Sequence, residues 1–132
     1  MKEQPLRDRR ILVVEDNAMI ALTMEDILQR AGADVVGPVG TLAEAEQTAL
    51  HEDLSGALLD IKLHYDEVWP VAQILAQRGV PIVFCSGHFE RGTLPAEWAS
   101  YDLLIKPVRP SQIVDTLASA IGAPRPKARD AS

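Results

Sequence analysis

Short uninterrupted apolar runs alternate along this chain with segments in which apolar residues recur every three or four positions. Uninterrupted runs are typical of strands that are buried on both faces of a parallel sheet. They predict five strands, at Ile11–Val14, Val35–Val36, Ala57–Asp60, Pro81–Cys85 and Tyr101–Ile105. Because helical segments separate these strands, the pattern predicts an α/β fold: a doubly wound, five-stranded parallel sheet with right-handed crossovers and helices on both faces.

The helical periodicity is clearest in four segments. They run from Asn17 to Gly32, from Thr41 to about Leu50, from about Val68 to Arg78 and from about Pro110 to Gly122. Asn17 and Thr41 are residue types that cap helix N-termini, and glycine commonly follows a helix end, as Gly32 does here. Residues 86–100 lack the periodicity and contain two glycines and a proline, which predicts a fourth helix that is short or irregular.

Charged residues stand at the ends of three of the apolar runs. Glu15 and Asp16 follow the first strand, Asp60 ends the third, and Lys106 follows the fifth. Open parallel sheets bind ligands at the carboxyl ends of their strands, so we expect these four residues to meet in one crevice. Any one acid alone could merely cap a strand end or a helix. Together they favour a site for a metal ion and a phosphoryl group.

Mutual repulsion among the three acids argues for a bound cation. Two like charges about 4 Å apart repel by about 4 kcal/mol at an effective dielectric constant of about 20. Lys106 offsets only one charge, so the remainder is relieved by protonation or by a divalent ion. Carboxylate oxygens suit Mg²⁺. Zinc is disfavoured, because His51, His64 and His88 are scattered along the chain and Cys85 is the only cysteine.

The composition is that of a small acidic protein. Its 132 residues predict one domain over residues 10–122, between flexible tails at 1–9 and 123–132. A single cysteine, no apolar leader and no apolar run near the roughly 20 residues of a membrane span predict a cytoplasmic protein without a membrane partner. The net charge of −6 disfavours nucleic acid, since attraction to phosphates requires a basic surface.

Four short motifs, in this order and at this spacing, resemble those of bacterial response-regulator receiver domains of the CheY-like type. The motifs are Ile11–Asp16, Leu59–Leu63, Cys85–Gly87 and Ile105–Pro107, and the resemblance extends from about Arg10 to Ile121. It implies a flavodoxin-like fold with strand order 2-1-3-4-5. It also implies a stand-alone receiver of a two-component phosphorelay, which signals through protein–protein contacts.

The resemblance implies that Asp60 is the phosphoacceptor. Asp16, Asp60 and the main-chain carbonyl of Lys62 would ligate Mg²⁺, and Glu15 would act on the metal through water. The phosphoryl donor would be a sensor histidine kinase or a histidine phosphotransfer protein, and the downstream protein target stays open. The chain would catalyse only its own phosphorylation and a slow autodephosphorylation, so it is not expected to be an enzyme in any other sense.

The remaining roles also follow from the resemblance. Ser86 and Lys106 would contact the phosphoryl group. Lys62 and His88 would tune the access of water to it; the alternatives are an ordinary solvated lysine, which is favoured for Lys62, and an exposed loop histidine. Pro107 would follow a cis peptide bond and shape the loop after the lysine.

One position departs from most receivers, which carry an aromatic residue three positions before the lysine. Here that residue is Leu103. A subgroup of single-domain receivers also lacks the aromatic, and its strand-four motif matches this chain at Pro81, Phe84 and Gly87. The chain resembles that subgroup best, whose members tend to have a mobile segment in place of helix four.

Two other functions remain open at the level of sequence. A Mg²⁺-dependent phosphatase of the haloacid-dehalogenase type would carry Asp-x-Asp after the first strand, whereas this chain has Glu15-Asp16-Asn17. A degenerate receiver would keep the fold and act as a phosphorylation-independent interaction module. The complete set of acids together with Ser86 and Lys106 argues against that second alternative.

Overall fold

A computed structural model describes residues 4–87 and 94–122 of the chain. Seven strands occur in these ranges: β1 (Arg10–Val14), β2 (Asp34–Val39), β3 (Gly56–Asp60), β4 (Lys62–Leu63), β5 (Asp66–Glu67), β6 (Ile82–Ser86) and β7 (Asp102–Ile105). Five of them form one parallel sheet in the order β2-β1-β3-β6-β7. When only the five strands of this sheet are numbered in chain order, the order is 2-1-3-4-5, and the predicted flavodoxin-like order is confirmed.

Four α-helices occur in the described ranges, α1 (Ala18–Arg30), α2 (Leu42–His51), α3 (Trp69–Gln77) and α4 (Pro110–Gly122). The first three connect strands, and α4 follows β7. The two predicted caps are present. The side chain of Asn17 accepts a hydrogen bond from the Ile20 amide, and the Thr41 hydroxyl accepts one from the Glu44 amide. Gly32, just past α1, has a φ of +96°, a conformation that favours glycine.

The sheet separates two hydrophobic cores, because successive side chains of a buried strand point to opposite faces. On one face, residues such as Leu59 and Phe84 pack with α2 and α3. On the other, residues such as Leu58 and Val83 pack with α1 and α4. Every residue of β3 and β6 is buried, which accounts for their uninterrupted apolar runs.

Two strand assignments differ from the sequence prediction. Strand β2 continues past Gly37-Pro38 to Val39, whereas the prediction ended it at Val36. As an edge strand it tolerates a proline, which cannot donate a ladder hydrogen bond. The short antiparallel hairpin of β4 and β5 was not predicted, because strands of two residues are too short to show a period.

The connection between β6 and β7 contains a 3₁₀ helix over Ala96–Trp98 and no α-helix in its described residues, as the breakers there predict. Trp98 is only 4% exposed. Its ring stacks on Trp69 of α3, with ring centroids 6.2 Å apart, and meets the edges of Phe84 and Tyr101. These ring contacts anchor the described part of the connection to the core.

The N-terminal residues 4–9 differ from the predicted flexible tail. Leu6 is completely buried in the core beside α1, and its amide donates a 3.0 Å hydrogen bond to the carbonyl of Ala31. A single leucine in a polar segment has no periodicity, so the sequence did not reveal this packing. No helix among the described residues is both long and apolar enough to cross a membrane.

The packing of Leu6 can be tested by truncation. Leu6→Ala removes buried methyl groups and should lower the free energy of unfolding by about 2–5 kcal/mol, measured by urea denaturation. Leu22→Ala is the matched control, since Leu22 is 62% exposed and its truncation should change stability by less than about 0.5 kcal/mol. Equal unfolding midpoints for the two variants would mean that residues 4–9 do not pack as described.

Candidate functional site

Three carboxylates meet at the carboxyl edge of the sheet. Glu15 and Asp16 follow β1, and Asp60 ends β3, which is the parallel neighbour of β1. Each of the three offers a carboxylate oxygen within 4.8 Å of the others. The predicted cluster of acids is therefore present, and the pairing of two parallel strands creates it.

Lys106 reaches this cluster from the end of β7. Its Nζ lies 2.8 Å from Glu15 Oε1 and 3.3 Å from Asp60 Oδ2. The side chains of Glu15 and Asp60 are only 1% and 7% exposed, and that of Lys106 is 18% exposed. One ammonium group thus bridges two nearly buried carboxylates.

Glu15 has a second contact that the sequence did not reveal. While Oε1 accepts from Lys106, Oε2 accepts a 3.1 Å hydrogen bond from the main-chain amide of Asn17. Both oxygens of this buried carboxylate are therefore engaged by protein groups. Glu15 orients Lys106 toward Asp60, in addition to any contact with a metal-bound water.

The close packing of these charged groups shifts the pKa values of Asp60 and Lys106, which face each other. Burial, followed by the charge of Glu15, raises the pKa of Asp60 from 3.8 to about 7, although Lys106 opposes the increase. Burial alone would lower the pKa of Lys106, but its hydrogen bond to Glu15 and the charge of Asp60 outweigh burial and raise it. Lys106 is therefore held in its charged form, while without a cation the raised pKa of Asp60 favours its protonated form.

These observations fit a hard divalent cation. The donors are carboxylate oxygens, the ligand type that Mg²⁺ prefers. Burial and, after it, the charge of Glu15 raise the pKa of Asp60, and a cation beside the carboxylate would favour its charged form.

Asp16 has a partner that the sequence analysis missed. Its Oδ2 accepts a 2.7 Å hydrogen bond from the main-chain amide of His64 and lies 3.4 Å from Nδ1 of the same residue. In the sequence His64 is one of three scattered histidines, but the β4–β5 hairpin returns it to the site. No glycine, asparagine or proline marks the loop His64-Tyr65, so the sequence carries no clear signal for this contact.

The other predicted residues surround the same edge. Ser86, 2% exposed, ends β6 beside β3, and its carbonyl accepts a 2.9 Å hydrogen bond from the Lys106 amide. Lys62 is exposed at the start of the hairpin. The Lys106–Pro107 peptide bond is cis. His88 lies outside the described residues, so its predicted role stays a prediction.

Known proteins resemble this chain over most of its length. No protein-family model matches the chain. A transcriptional regulatory protein of Mycobacterium tuberculosis, PdtaR, is 28% identical over 118 residues, which are 86% of this chain and 57% of that protein. The chain thus spans little more than half the length of this relative.

Two solved structures share the fold. The receiver domain of the response regulator PhyR from Erythrobacter litoralis is 26% identical, with a TM-score of 0.77 over 89% of this chain and 95% of that chain. The receiver domain of the sensor kinase PA1611 from Pseudomonas aeruginosa, which has a magnesium ion in its active-site cleft, is 23% identical with a TM-score of 0.76, over 88% and 99% of the chains. The resemblance to response-regulator receiver domains is confirmed, and the resemblance to the single-domain subgroup stays a prediction.

The raised pKa of Asp60 gives a testable dependence of stability on pH in the metal-free protein. The unfolded chain releases this proton near pH 3.8 and the folded chain near 7, so between these values the folded state binds more protons. The free energy of unfolding should therefore fall as the pH rises through this window, by an amount on the order of a few kcal/mol.

Asp60→Asn removes this titration, so the variant should gain stability relative to wild type between pH 4 and pH 7. Urea unfolding of both proteins, in the presence of a chelator and at a series of pH values, measures the difference in their free energies of unfolding. Titrating groups that both proteins share contribute equally and drop out of this difference. A difference that is constant across the window would show that Asp60 is not held at a raised pKa.

Proposed function

We propose that this chain, a CheY-like receiver domain of the response-regulator class, accepts a phosphoryl group on Asp60 from a phosphohistidine with the help of Mg²⁺. The observation that carries the proposal is the bridging of Glu15 and Asp60 by Lys106 beside Asp16. Glu15 has both oxygens engaged by protein groups, and Asp16 is held by His64. Asp60 is the acid of the cluster best placed to react.

In the proposed transfer, a carboxylate oxygen of Asp60 attacks the phosphorus atom. The bond from phosphorus to the donor nitrogen breaks as the new P–O bond forms, and the donor imidazole leaves with the electron pair of the broken bond. Such transfers depend on in-line positioning and charge neutralisation rather than on a dedicated base. Lys106, charged and held by Glu15, lies where it can pair with a phosphoryl oxygen.

A bound Mg²⁺ would supply further neutralisation of the phosphoryl oxygens. Asp16, Asp60 and the main-chain carbonyl of Lys62 would ligate it, and Glu15 would act through a bound water. Asp60 must lose its proton before it attacks, and a cation beside it favours that loss.

Ser86 and the surrounding loops complete the proposed site. Ser86 ends β6, next to the strand that carries Asp60, and its hydroxyl would donate to the phosphoryl group. Lys62 and His88 would control how readily water reaches the acyl phosphate, and Pro107 would shape the loop after Lys106. Slow attack of water would release phosphate and restore Asp60.

The proposed partners follow from this chemistry. A sensor histidine kinase or a histidine phosphotransfer protein would supply the phosphoryl group in the cytoplasm, and a protein target would read the phosphorylated state. The chain would catalyse its own phosphorylation and slow dephosphorylation only. The acidic composition, with a net charge of −6, supports protein partners over nucleic acid.

Asp60 should be the sole phosphorylation site. Incubation with a small-molecule phosphodonor and Mg²⁺ should add one acid-labile phosphoryl group to wild type, detected by intact-protein mass spectrometry. Asp60→Asn should reduce the incorporation to background, because the amide cannot attack phosphorus. Asp53→Asn, at an exposed aspartate outside the cluster, should incorporate as much as wild type. Undiminished labelling of Asp60→Asn would refute the assignment, and an unlabelled wild type would favour the degenerate receiver.

Mg²⁺ should stabilise the folded protein. A ligand that binds only the native state at about ten times its Kd raises the free energy of unfolding by about 1.4 kcal/mol. Thermal unfolding in millimolar MgCl₂ should therefore show a higher Tm than in NaCl of equal ionic strength, and Asp16→Asn should reduce the difference. If the Tm of wild type is the same in both salts, the acidic cluster does not bind the ion.

A further inference from the structure

The turn of the β4–β5 hairpin has an unusual backbone. Its two strands are joined by a two-residue loop, His64-Tyr65, and His64 has a φ of +58°. Glycine is favoured at the first residue of such a loop when φ is positive, because a Cβ atom would crowd the backbone in that conformation. Residues other than glycine keep a positive φ only when the surrounding structure holds them in it, and such residues cluster at functional sites.

The conformation of His64 aims its amide at Asp16. The distance from His64 N to Asp16 Oδ2, 2.7 Å, is short for a hydrogen bond from a main-chain amide, as expected when the acceptor is a carboxylate. The side chain of Asp16 is 19% exposed and that of His64 is 65% exposed. Burial of the imidazole therefore does not explain why this residue keeps a positive φ.

The base of the hairpin is fixed on the domain, so the turn has a defined position. The amide of Val68 donates a 2.9 Å hydrogen bond to the carbonyl of Ile61 and closes the hairpin. Trp69 Nε1 donates a 2.9 Å hydrogen bond to Glu67 Oε1, and the Trp69 ring stacks on Trp98. The turn is thus carried by a short, braced element that starts two residues after Asp60.

We infer that His64 is a positioning residue for the proposed cation site, and that it acts through its main-chain amide rather than its imidazole. The amide occupies Oδ2 of Asp16 and sets the orientation of the carboxylate, which leaves Oδ1 for the ion. Hydrogen bonds of this kind orient metal ligands, and their loss commonly lowers metal affinity by about 10- to 100-fold. The inference rests on the proposed function, because it takes Asp16 as a ligand.

Two substitutions at His64 separate the amide from the imidazole. His64→Gly removes the imidazole but keeps the amide and adopts positive φ readily. His64→Val also keeps an amide, but a β-branched residue strongly disfavours this φ, so the turn should change and the hydrogen bond should be lost. Titration with MgCl₂ by calorimetry should find wild-type affinity in His64→Gly and an affinity about 10- to 100-fold lower in His64→Val.

A second measurement needs no metal. In a chelator, the amide of residue 64 should exchange with solvent slowly in wild type and in His64→Gly, although it lies in an exposed turn. Asp16→Ala removes the acceptor and should accelerate the exchange, whereas Asp66→Ala, which removes an exposed carboxylate from the same hairpin, should leave it unchanged.

Each contrary result has one meaning. Equal loss of Mg²⁺ affinity in the two His64 variants would assign the effect to the imidazole and overturn the inference. Wild-type affinity in His64→Val, or rapid exchange of the His64 amide in wild type, would also overturn it, while the proposed function would stand. A wild type that binds no Mg²⁺ would overturn the proposed metal role of Asp16 together with the inference.

Discussion

Repulsion among carboxylates at one edge of a parallel sheet is the constraint on which the site depends. Strands β1 and β3 are parallel neighbours, so the acids that follow them must meet. Two of these acids, Glu15 and Asp60, are almost fully buried, where charge is costly. Lys106 neutralises part of that charge, but burial and the charge of Glu15 still raise the pKa of Asp60. The charge that Lys106 leaves uncompensated is the basis of the proposed cation site.

The elements around the site differ in how firmly they hold their residues. Asp60 and Ser86 are the last residues of β3 and β6, which are buried over their whole length. An apolar core packs against each face of these strands. Asp16 lies beyond the end of β1, in a loop, and accepts a hydrogen bond from the His64 amide. The carboxylate of Asp60 is thus positioned by the sheet itself, whereas Asp16 is contacted by a turn that is distant in sequence.

An aromatic cluster joins the hairpin to the connection between β6 and β7. Trp69 donates a hydrogen bond to Glu67 of the hairpin and stacks on Trp98 of the 3₁₀ helix, and Phe84 and Tyr101 complete the cluster. Most receivers carry an aromatic residue three positions before the lysine, where this chain has Leu103. Here the aromatic contacts lie on α3, β6 and the β6–β7 connection.

The sequence by itself determined the parallel sheet, the helix caps and the clustering of Glu15, Asp60 and Lys106. Those features depend on local periodicity and on the residues at strand ends, and both can be recognised in short contiguous stretches of the sequence. Only the tertiary structure decided the contacts of single residues: Leu6 in the core and His64 on Asp16. These are made by lone side chains and amides between segments far apart in sequence. No periodicity marks such contacts, and they form only where the fold brings the two segments together.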